Sequence, residues 1–541
     1  MDADPDLDRF TSRRSTAYGS QGVVATSQPL AAEAGRDVLR AGGNAFDAAV
    51  ATAAVLNVVE PMSTGLGGDA FALFRTADGA VGAMRACGGA PADATIESVR
   101  ERVADRTGCA PGDAEMPERG PLSVTVPGAP RGWEATVERF GQLSLEAVLS
   151  DAIHYATEGF PVTEVIASAW DLCAPELRND AGREQYLLDD GRAPDVGEVI
   201  TLPELGGTLS TLATEGAAPF YEGAIADQIA ETVQSAGGLL QQSDLSDFEV
   251  EFPEPVSTTY RGTEVYELPP NNQGLIALEA LNIAEETGVS ETEDPVERTH
   301  LLAEAMKLAF TDGHHYITDP EYEPVPPLAS ADWAAERATE IGPAALENPD
   351  VGLLDSPAED ADTVLLTVAD EAGNVVSFIN SLFHGFGSGL VAGDTGLALQ
   401  NRGASFSLDE AHPNHLEPGK RPFHTLIPGL ANFGPDDWAA FGVMGGYMQP
   451  QGHVQVLSNL LDRNLPLQAA LDEPRWRYRE DGTLAVEARY DEAITSKLVR
   501  RGHDVAVDVP LRFGGAQIAR WNDGVLSGAT EPRKDGTVAV Y

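Results

Sequence analysis

Residues 363–383 read Thr363-Val-Leu-Leu-Thr-Val-Ala369, then Asp370-Glu-Ala-Gly-Asn374, then Val375-Val-Ser-Phe-Ile-Asn-Ser-Leu-Phe383. Two apolar, β-branched runs flank a turn made of Asp, Gly and Asn, which predicts a β-hairpin. Ser381 lies on the returning strand, where it can sit beside Thr363 across the ladder. Working outward, 438–444 predicts another strand, ended by Gly445-Gly446, and a helix follows from about 449 to 461. Further strands are predicted within 501–507, 514–520 and 264–268. Toward the N-terminus, Val23-Val24-Ala25 reads as a short strand. Pro29 opens a helix through Arg40, stopped by Gly42-Gly43-Asn44. An Ala-rich helix over 46–59 has few polar positions and is expected to be buried on most sides. Thr64-Gly65-Leu66-Gly67-Gly68-Asp69 then reads as a loop that approaches other backbone closely. Helices early and strands late, with both types mixed throughout, predict a layered sandwich of α/β or α+β type.

The chain has 541 residues, 43% apolar, enough for a substantial core. Its formal net charge is −50. That excludes nucleic acid as a partner, since such binding depends on Lys and Arg neutralising phosphates. It equally excludes electrostatic docking on anionic membranes. Only four of the 35 basic residues are lysine: Lys307, Lys420, Lys497 and Lys534. An evenly spread acidic skin nearly free of Lys suits a salt-rich cytoplasm, where a short Debye length screens self-repulsion. Cys87, Cys109 and Cys173 form no disulfide framework and show no metal spacing. The stretch Met1–Ser20 is polar, with no apolar segment of signal-peptide type despite Arg13-Arg14. The longest apolar run, 48–56, is too short to span a bilayer. Residues 321–362 are rich in Pro, Glu, Asp and Ala and read as an exposed, mobile connection.

The usual signatures of phosphate-binding loops, zincins, CxxC redox centres and nucleophile elbows are absent. His412 and His415 read as loop histidines because Pro413 separates them. The adjacent His314 and His315 cannot share one helix face and read as surface residues. What remains is a concentration of Gly and hydroxyl residues in the last third. Gly385-Phe-Gly-Ser-Gly389 and Asn401-Arg-Gly403 are tight corners. Paired amides at Gly445-Gly446 form a nest suited to a developing oxyanion. On the residues alone, each has an ordinary alternative: a strand-to-helix turn for the glycines, a good β former for Thr363, a polar strand residue for Ser381.

An ordered series of motifs narrows these alternatives. It runs Ala25-Thr-Ser-Gln-Pro-Leu30, Gly42-Gly-Asn-Ala-Phe-Asp-Ala-Ala49, Val59-Glu-Pro-Met-Ser-Thr-Gly-Leu-Gly-Gly-Asp69, Val126-Pro-Gly-Ala129 with Gly132-Trp133, Phe220-Tyr-Glu-Gly223 and Thr258-Thr-Tyr-Arg-Gly262. It continues with Phe386-Gly-Ser-Gly389, Gly419-Lys-Arg-Pro422 and Gly445-Gly446. With these motifs the chain resembles the γ-glutamyltranspeptidase family of N-terminal-nucleophile hydrolases over nearly its whole length. The resemblance implies a four-layer αββα sandwich of α+β class, no metal and no organic cofactor. It implies a proenzyme cut between Asp362 and Thr363 into fragments 1–362 and 363–541. The fragments are expected to stay together as a heterodimer built around one interleaved core. It also places Thr363 as the nucleophile, whose freed α-amine serves as its base. Ser381 aligns with a hydroxyl that hydrogen-bonds the nucleophile, and Gly445 and Gly446 with the oxyanion hole.

The substrate positions depart from the family pattern. Where family members hold a glutamyl head with an Arg, an Asn, a Gln, an Asp and a Ser pair, this chain has Cys87 (or a neighbour), Phe383, Arg402, Ser405 and His424-Thr425. Losing an Arg–carboxylate pair weakens binding of such a head. Arg402 offers a carboxylate clamp from another side, or else pairs with a structural carboxylate. His424 adds a hydrogen bond, or else packs in the sheet. Cys87 lines the pocket, or else is a buried structural thiol. The expected activity is cleavage of a γ-glutamyl or related acyl amide through a Thr acyl-enzyme. The pattern 381–389 is closer to outlying branches that act on dicarboxylic side chains or oxamate-like small amides. An uncut, catalytically idle binding relative is the third reading.

Overall fold

The computed structural model describes residues 14–347 and 361–541. The hairpin is present, as strands Ala361–Asp370 and Val375–His384 joined by the predicted turn. They form the centre of a six-stranded sheet in the order Thr537–Val540, Gly22–Thr26, Ala361–Asp370, Val375–His384, Asp69–Arg75, Val81–Ala86. A seven-stranded sheet runs Ala17–Gly19, Val525–Thr530, Gly515–Asn522, Asp437–Met444, Gly429–Gly434, Thr263–Glu267, Val256–Tyr260. In both sheets, strands from before and after residue 363 lie side by side.

Alternation along the strands builds the layers. Val364, Leu366 and Val368 point to the helical side, where they join a core with the helices Pro29–Arg40, Ala45–Val59 and Leu145–Glu158. Leu365 and Ala369 point the other way and pack with Leu430, Trp438, Ala440 and Leu526 of the second sheet. The far face of that sheet carries Ala439, Phe441 and Val443 against the helices Gly274–Glu286, Pro295–Tyr316 and Met448–Leu461. A strand buried on both faces favours apolar residues on both, which is why the hairpin strands lack regular polar alternation; a buried polar residue there finds a partner, as Ser377 does in the Phe441 carbonyl. The result is an α+β, four-layer αββα sandwich. Helix Ala45–Val59 is buried at every residue, as its Ala-rich composition predicts, and begins with an Asn44–Asp47 capping box. Among the described residues no helix is long and apolar enough to cross a membrane.

Three local expectations change. Most of 348–362 lies outside the described residues, but part of the acidic stretch before it is packed. Helix Ala331–Ala338 starts on a Ser330 cap, buries Ala334, and holds Trp333 by an Nε1–H bond to Asp312 at 2.7 Å. Strand 501–507 shrinks to Val505–Asp508, because Arg501 and Gly502 close the helix Glu492–Arg500. His314 is buried rather than superficial: it stacks on Phe310 and meets Tyr447 edge-on. The helix Pro295–Tyr316 turns it inward while His315 stays exposed.

Candidate active site

Thr363 sits in the third position of its strand, 1% exposed. The ladder with the returning strand runs regularly to Asn380 opposite Val364 and resumes at Phe383 opposite Asp362. Two residues, Ser381 and Leu382, therefore oppose the single residue Thr363. This is a β-bulge, which re-aims side chains and ends regular pairing. Its consequence is a hydrogen bond in which Thr363 Oγ1 donates to Ser381 Oγ at 3.2 Å. The Phe383 amide donates to the same oxygen at 2.8 Å. Phe383 itself has φ +82°, a sparsely populated conformation for an aromatic residue. That turn presents its ring to Arg402, whose guanidinium carbon lies 4.1 Å from the ring centroid.

From Arg402 the contacts run on toward the second sheet. Its Nη1 donates to Thr425 Oγ1 at 2.8 Å. The Thr425 carbonyl accepts from Gln273 Nε2, which also donates to the Gly446 carbonyl at 3.0 Å. A continuous set of contacts thus links Thr363, Ser381, Phe383, Arg402, Thr425 and Gly446. Gly445 and Gly446 have φ of +114° and +54°, between strand Asp437–Met444 and helix Met448–Leu461. Such a turn at a helix start gathers amides into an anion-binding concavity.

Arg402 is 1% exposed, yet its Nε and Nη2 find no hydrogen-bond partner among the described residues. Burial brings its pKa down to about 10, although the nearby Asp69 opposes this. Asp69 is the other half of the site and was not singled out from the sequence. It starts the strand Asp69–Arg75 and pairs in register with Ser381. Its carboxylate accepts from Gly128 N at 3.3 Å and lies 3.1 Å from His424 Nε2. The Leu426 amide donates to His424 Nδ1 at 3.2 Å, so the ring hydrogen is on Nε2 and is donated to Asp69. Burial, and then Arg402 and Arg85, keep His424 well below its usual pKa and neutral. The preceding glycines show why the loop carries no side chains there. A Cβ on Gly67 would lie 2.1 Å from the Ala398 carbonyl, and one on Gly68 would lie 2.3 Å from that of Ser381. The visible signal for Asp69 was a charged residue immediately after two such glycines, at the start of an otherwise apolar strand.

Cys87 lines a cavity of about 560 Å³ together with Val126, Phe248, Glu251 and Arg421. Burial, and then Asp69, push its thiol up to about 12, so it is uncharged. Thr363, Ser381 and Arg402 do not line this cavity. Ser405 is buried in the turn that carries Arg402, but its carbonyl binds Asn414 Nδ2 and no described hydrogen bond joins it to the cluster. Asp362 contributes backbone pairing to Phe383. His384, also not foreseen, stacks on Phe383 and binds Asn401 at 2.6 Å, supporting the bulge from behind.

Among the described residues, one group elsewhere has the atoms to hold a metal ion: His300, Glu304 and His503. It is already occupied internally. Lys307 Nζ lies 2.7 Å from Glu304, His300 Nδ1 lies 2.8 Å from His503 Nε2, and His300 Nε2 reaches the Gly342 carbonyl at 2.8 Å.

The model of the gamma-glutamyltranspeptidase family matches residues 31–541. A glutathione hydrolase-like YwrD proenzyme of Bacillus subtilis is 38% identical over 96% of this chain and 98% of its own length. An oxamate amidohydrolase proenzyme of Klebsiella pneumoniae is 34% identical, over 97% and 100% respectively. Among solved structures, a cephalosporin acylase from Bacillus halodurans superposes with a TM-score of 0.89 at 45% identity, covering 98% of this chain and 97% of that one.

Proposed function

Because the chain belongs to the gamma-glutamyltranspeptidase family of N-terminal-nucleophile amidohydrolases, we propose that it cuts itself between Asp362 and Thr363 and then cleaves a γ-glutamyl or related carboxylate-bearing acyl amide through an ester on Thr363. The observation that carries this is the Thr363–Ser381 hydrogen bond at the bulge. The hydroxyl is held by a partner whose own position is fixed by the Phe383 amide.

In maturation, Thr363 Oγ attacks the Asp362 carbonyl, its proton passes to the departing Thr363 nitrogen, and the C–N bond breaks. Water then hydrolyses the ester, leaving a carboxylate on residue 362 and a free α-amine on Thr363. In turnover that amine takes the hydroxyl proton while Oγ attacks the substrate carbonyl. An α-amine titrates near pH 8, so a useful fraction is neutral at working pH. The oxyanion is received by the Gly445 and Gly446 amides, the amine leaves with the proton, and water or an amino compound releases the acyl group. The fragments 1–362 and 363–541 remain a heterodimer, a reading supported by the interleaved strands.

For the acyl head, Arg402 is the carboxylate anchor, because its guanidinium is buried with two nitrogens unbonded. Burying such a group without a partner is costly, and a ligand carboxylate removes that cost. A specialised acylase or small-amide hydrolase is the second reading. It is supported by the changed residues Cys87, Phe383 and His424, and by similarity to proteins described as an oxamate amidohydrolase and a cephalosporin acylase. The net charge of −50 further supports a salt-rich cytoplasm as the working environment.

Intact mass of the purified protein, beside Thr363→Ala, tests the nucleophile. Fragments divided after Asp362 and absent from the variant are expected. A wild-type chain that stays whole in both low and high salt refutes the maturation step. γ-Glutamyl and glutaryl p-nitroanilides assayed side by side then separate the two substrate readings.

A further inference from the structure

Asp69 and Arg402 are opposite charges buried in one site without a direct ion pair. No carboxylate among the described residues lies within 4.0 Å of the Arg402 nitrogens, and Asp69 is the one carboxylate that acts on its charge. Neither can move far. Arg402 is held by Thr425 at Nη1 and by the Phe383 ring against its plane. Asp69 is held by His424 and Gly128 on its two oxygens. With Asp69 ionised the pair is neutral overall, and the guanidinium edge at Nε and Nη2 is buried and unbonded.

A ligand carboxylate arriving at that edge brings a second negative charge beside one cation. Two buried carboxylates that share one arginine with no further cation beside them, unlike Glu487 and Glu531, which also meet Arg489 and Arg475, repel each other, and protonation of one relieves it. The groups facing Asp69 decide which accepts the proton. His424 is neutral, and as donor to Asp69 through Nε2 it is already committed. Cys87, beyond the end of strand Val81–Ala86, is a thiol with its pKa at about 12. Tyr221, from the helix Ala218–Glu222, is shifted upward by burial and stays protonated. Arg402 stays charged. Asp69 alone lies near neutrality, raised to about 7 by burial against the pull of Arg402 and the Gly128 amide.

We propose that Asp69 is the proton-linked partner of Arg402: a carboxylate binds the unbonded edge of the guanidinium together with one proton, taken from solvent onto an Asp69 oxygen. The inference rests on the reading of Arg402 as carboxylate anchor. Asp69 then acts as a specificity residue. It favours carboxylate-headed donors at neutral or lower pH and repels them at high pH, while neutral heads bind without regard to its charge.

The test is calorimetry of glutarate on the matured wild-type protein, in phosphate and in Tris, from pH 6.5 to 9. Uptake of up to about one proton per site is expected, with affinity falling toward ~10-fold per pH unit once Asp69 is ionised in the free protein. Glutaramide, which has no carboxylate, serves as a control and is expected to take up no proton. Asp69→Asn is expected to flatten the pH profile, abolish proton uptake, and bind glutarate at least about 10-fold more tightly than wild type at pH 8.5. Glutarate binding in wild type with no proton uptake and a flat profile overturns the proposal, and needs no variant to fold. If glutarate binds equally well to Arg402→Gln, the anchor reading fails instead. Self-cleavage and anilide hydrolysis, measured on the same preparations, report separately on the catalytic reading.

Discussion

Arg402 and Arg533 are both almost fully buried, and their surroundings are opposite. Arg533, 2% exposed, donates to Glu487 and Glu531 and to the carbonyls of Leu471 and Glu473. Arg475 joins it on Glu531 at 2.8 Å. Burial alone lowers the pKa of Arg533, but Glu531 and Glu487 outweigh it and the net direction is upward. Arg402, 1% exposed, has one hydroxyl partner, an aromatic face and two unbonded nitrogens, and its net direction is downward. A buried charge with all its donors matched fixes geometry, whereas one left unmatched stores binding capacity. The first joins the end of the chain to the strand Leu484–Glu487 and to the turn after Leu471. The second faces the bulge at Thr363.

The contrast sets a scale of expected effects. Thr363→Ala is expected to lower turnover by at least about 10³-fold and to leave the chain uncut, as read by anilide assay and mass, because it removes the proposed nucleophile. A variant with near-normal rates would detach the whole cluster from catalysis. Arg533→Ala is expected to cost about 3 kcal/mol in chemical denaturation, since Glu487 and Glu531 each lose a buried partner and keep only Arg489 and Arg475 as cations. Arg402→Gln, by contrast, is expected to keep the fold and lose about 10²-fold in kcat/KM for a carboxylate-headed donor, with little change for a neutral one. If Arg402→Gln unfolds the protein while Arg533→Ala does not, the assignment of structural and binding roles is reversed. Ser381→Ala is expected to lower kcat by about 10-fold, the loss of one hydrogen bond to the reacting hydroxyl, with KM little changed.

Asp69→Asn sharpens the same comparison through pH. The folded pKa of Asp69 is raised from 3.8 to about 7, so folding favours its protonated form. The stability it lends is complete below the unfolded value and is lost as pH rises through 7. The variant is therefore expected to be more stable than wild type at pH 8 and to converge with it below pH 4, as read by thermal melts at each pH. A smaller effect is expected from salt. With a net charge of −50, the melting temperature should rise between 0.1 and 2 M KCl as repulsion is screened.

The hairpin, the buried Ala-rich helix and the strand-to-helix turn at Gly445-Gly446 were legible in the sequence because each depends on neighbours in the chain. Periodicity, turn chemistry and capping are local. The ordered motifs carried the family and the four-layer class for the same reason, since each marks a local backbone demand. The pairing of Thr363 with Ser381 was half legible. The hairpin brought them opposite, but the bulge that aims one hydroxyl at the other follows from contacts around Phe383 and Asn401 that no pattern announces. His314 was misjudged because its helix is apolar on a face that only the packing of Tyr447 and Phe423 defines.

What the sequence alone determined, then, was the class of fold, the strand that carries Thr363, and the family motifs. Only the tertiary structure decided which side chains gather around that strand. Arg402, Thr425, Phe383 and His424 come from separate turns, and Asp69 from a strand some 290 residues before Thr363 in the chain. Whether a buried arginine is matched or open depends on which carboxylates folding brings within reach. That is a property of distances across layers, and no one-dimensional pattern records it.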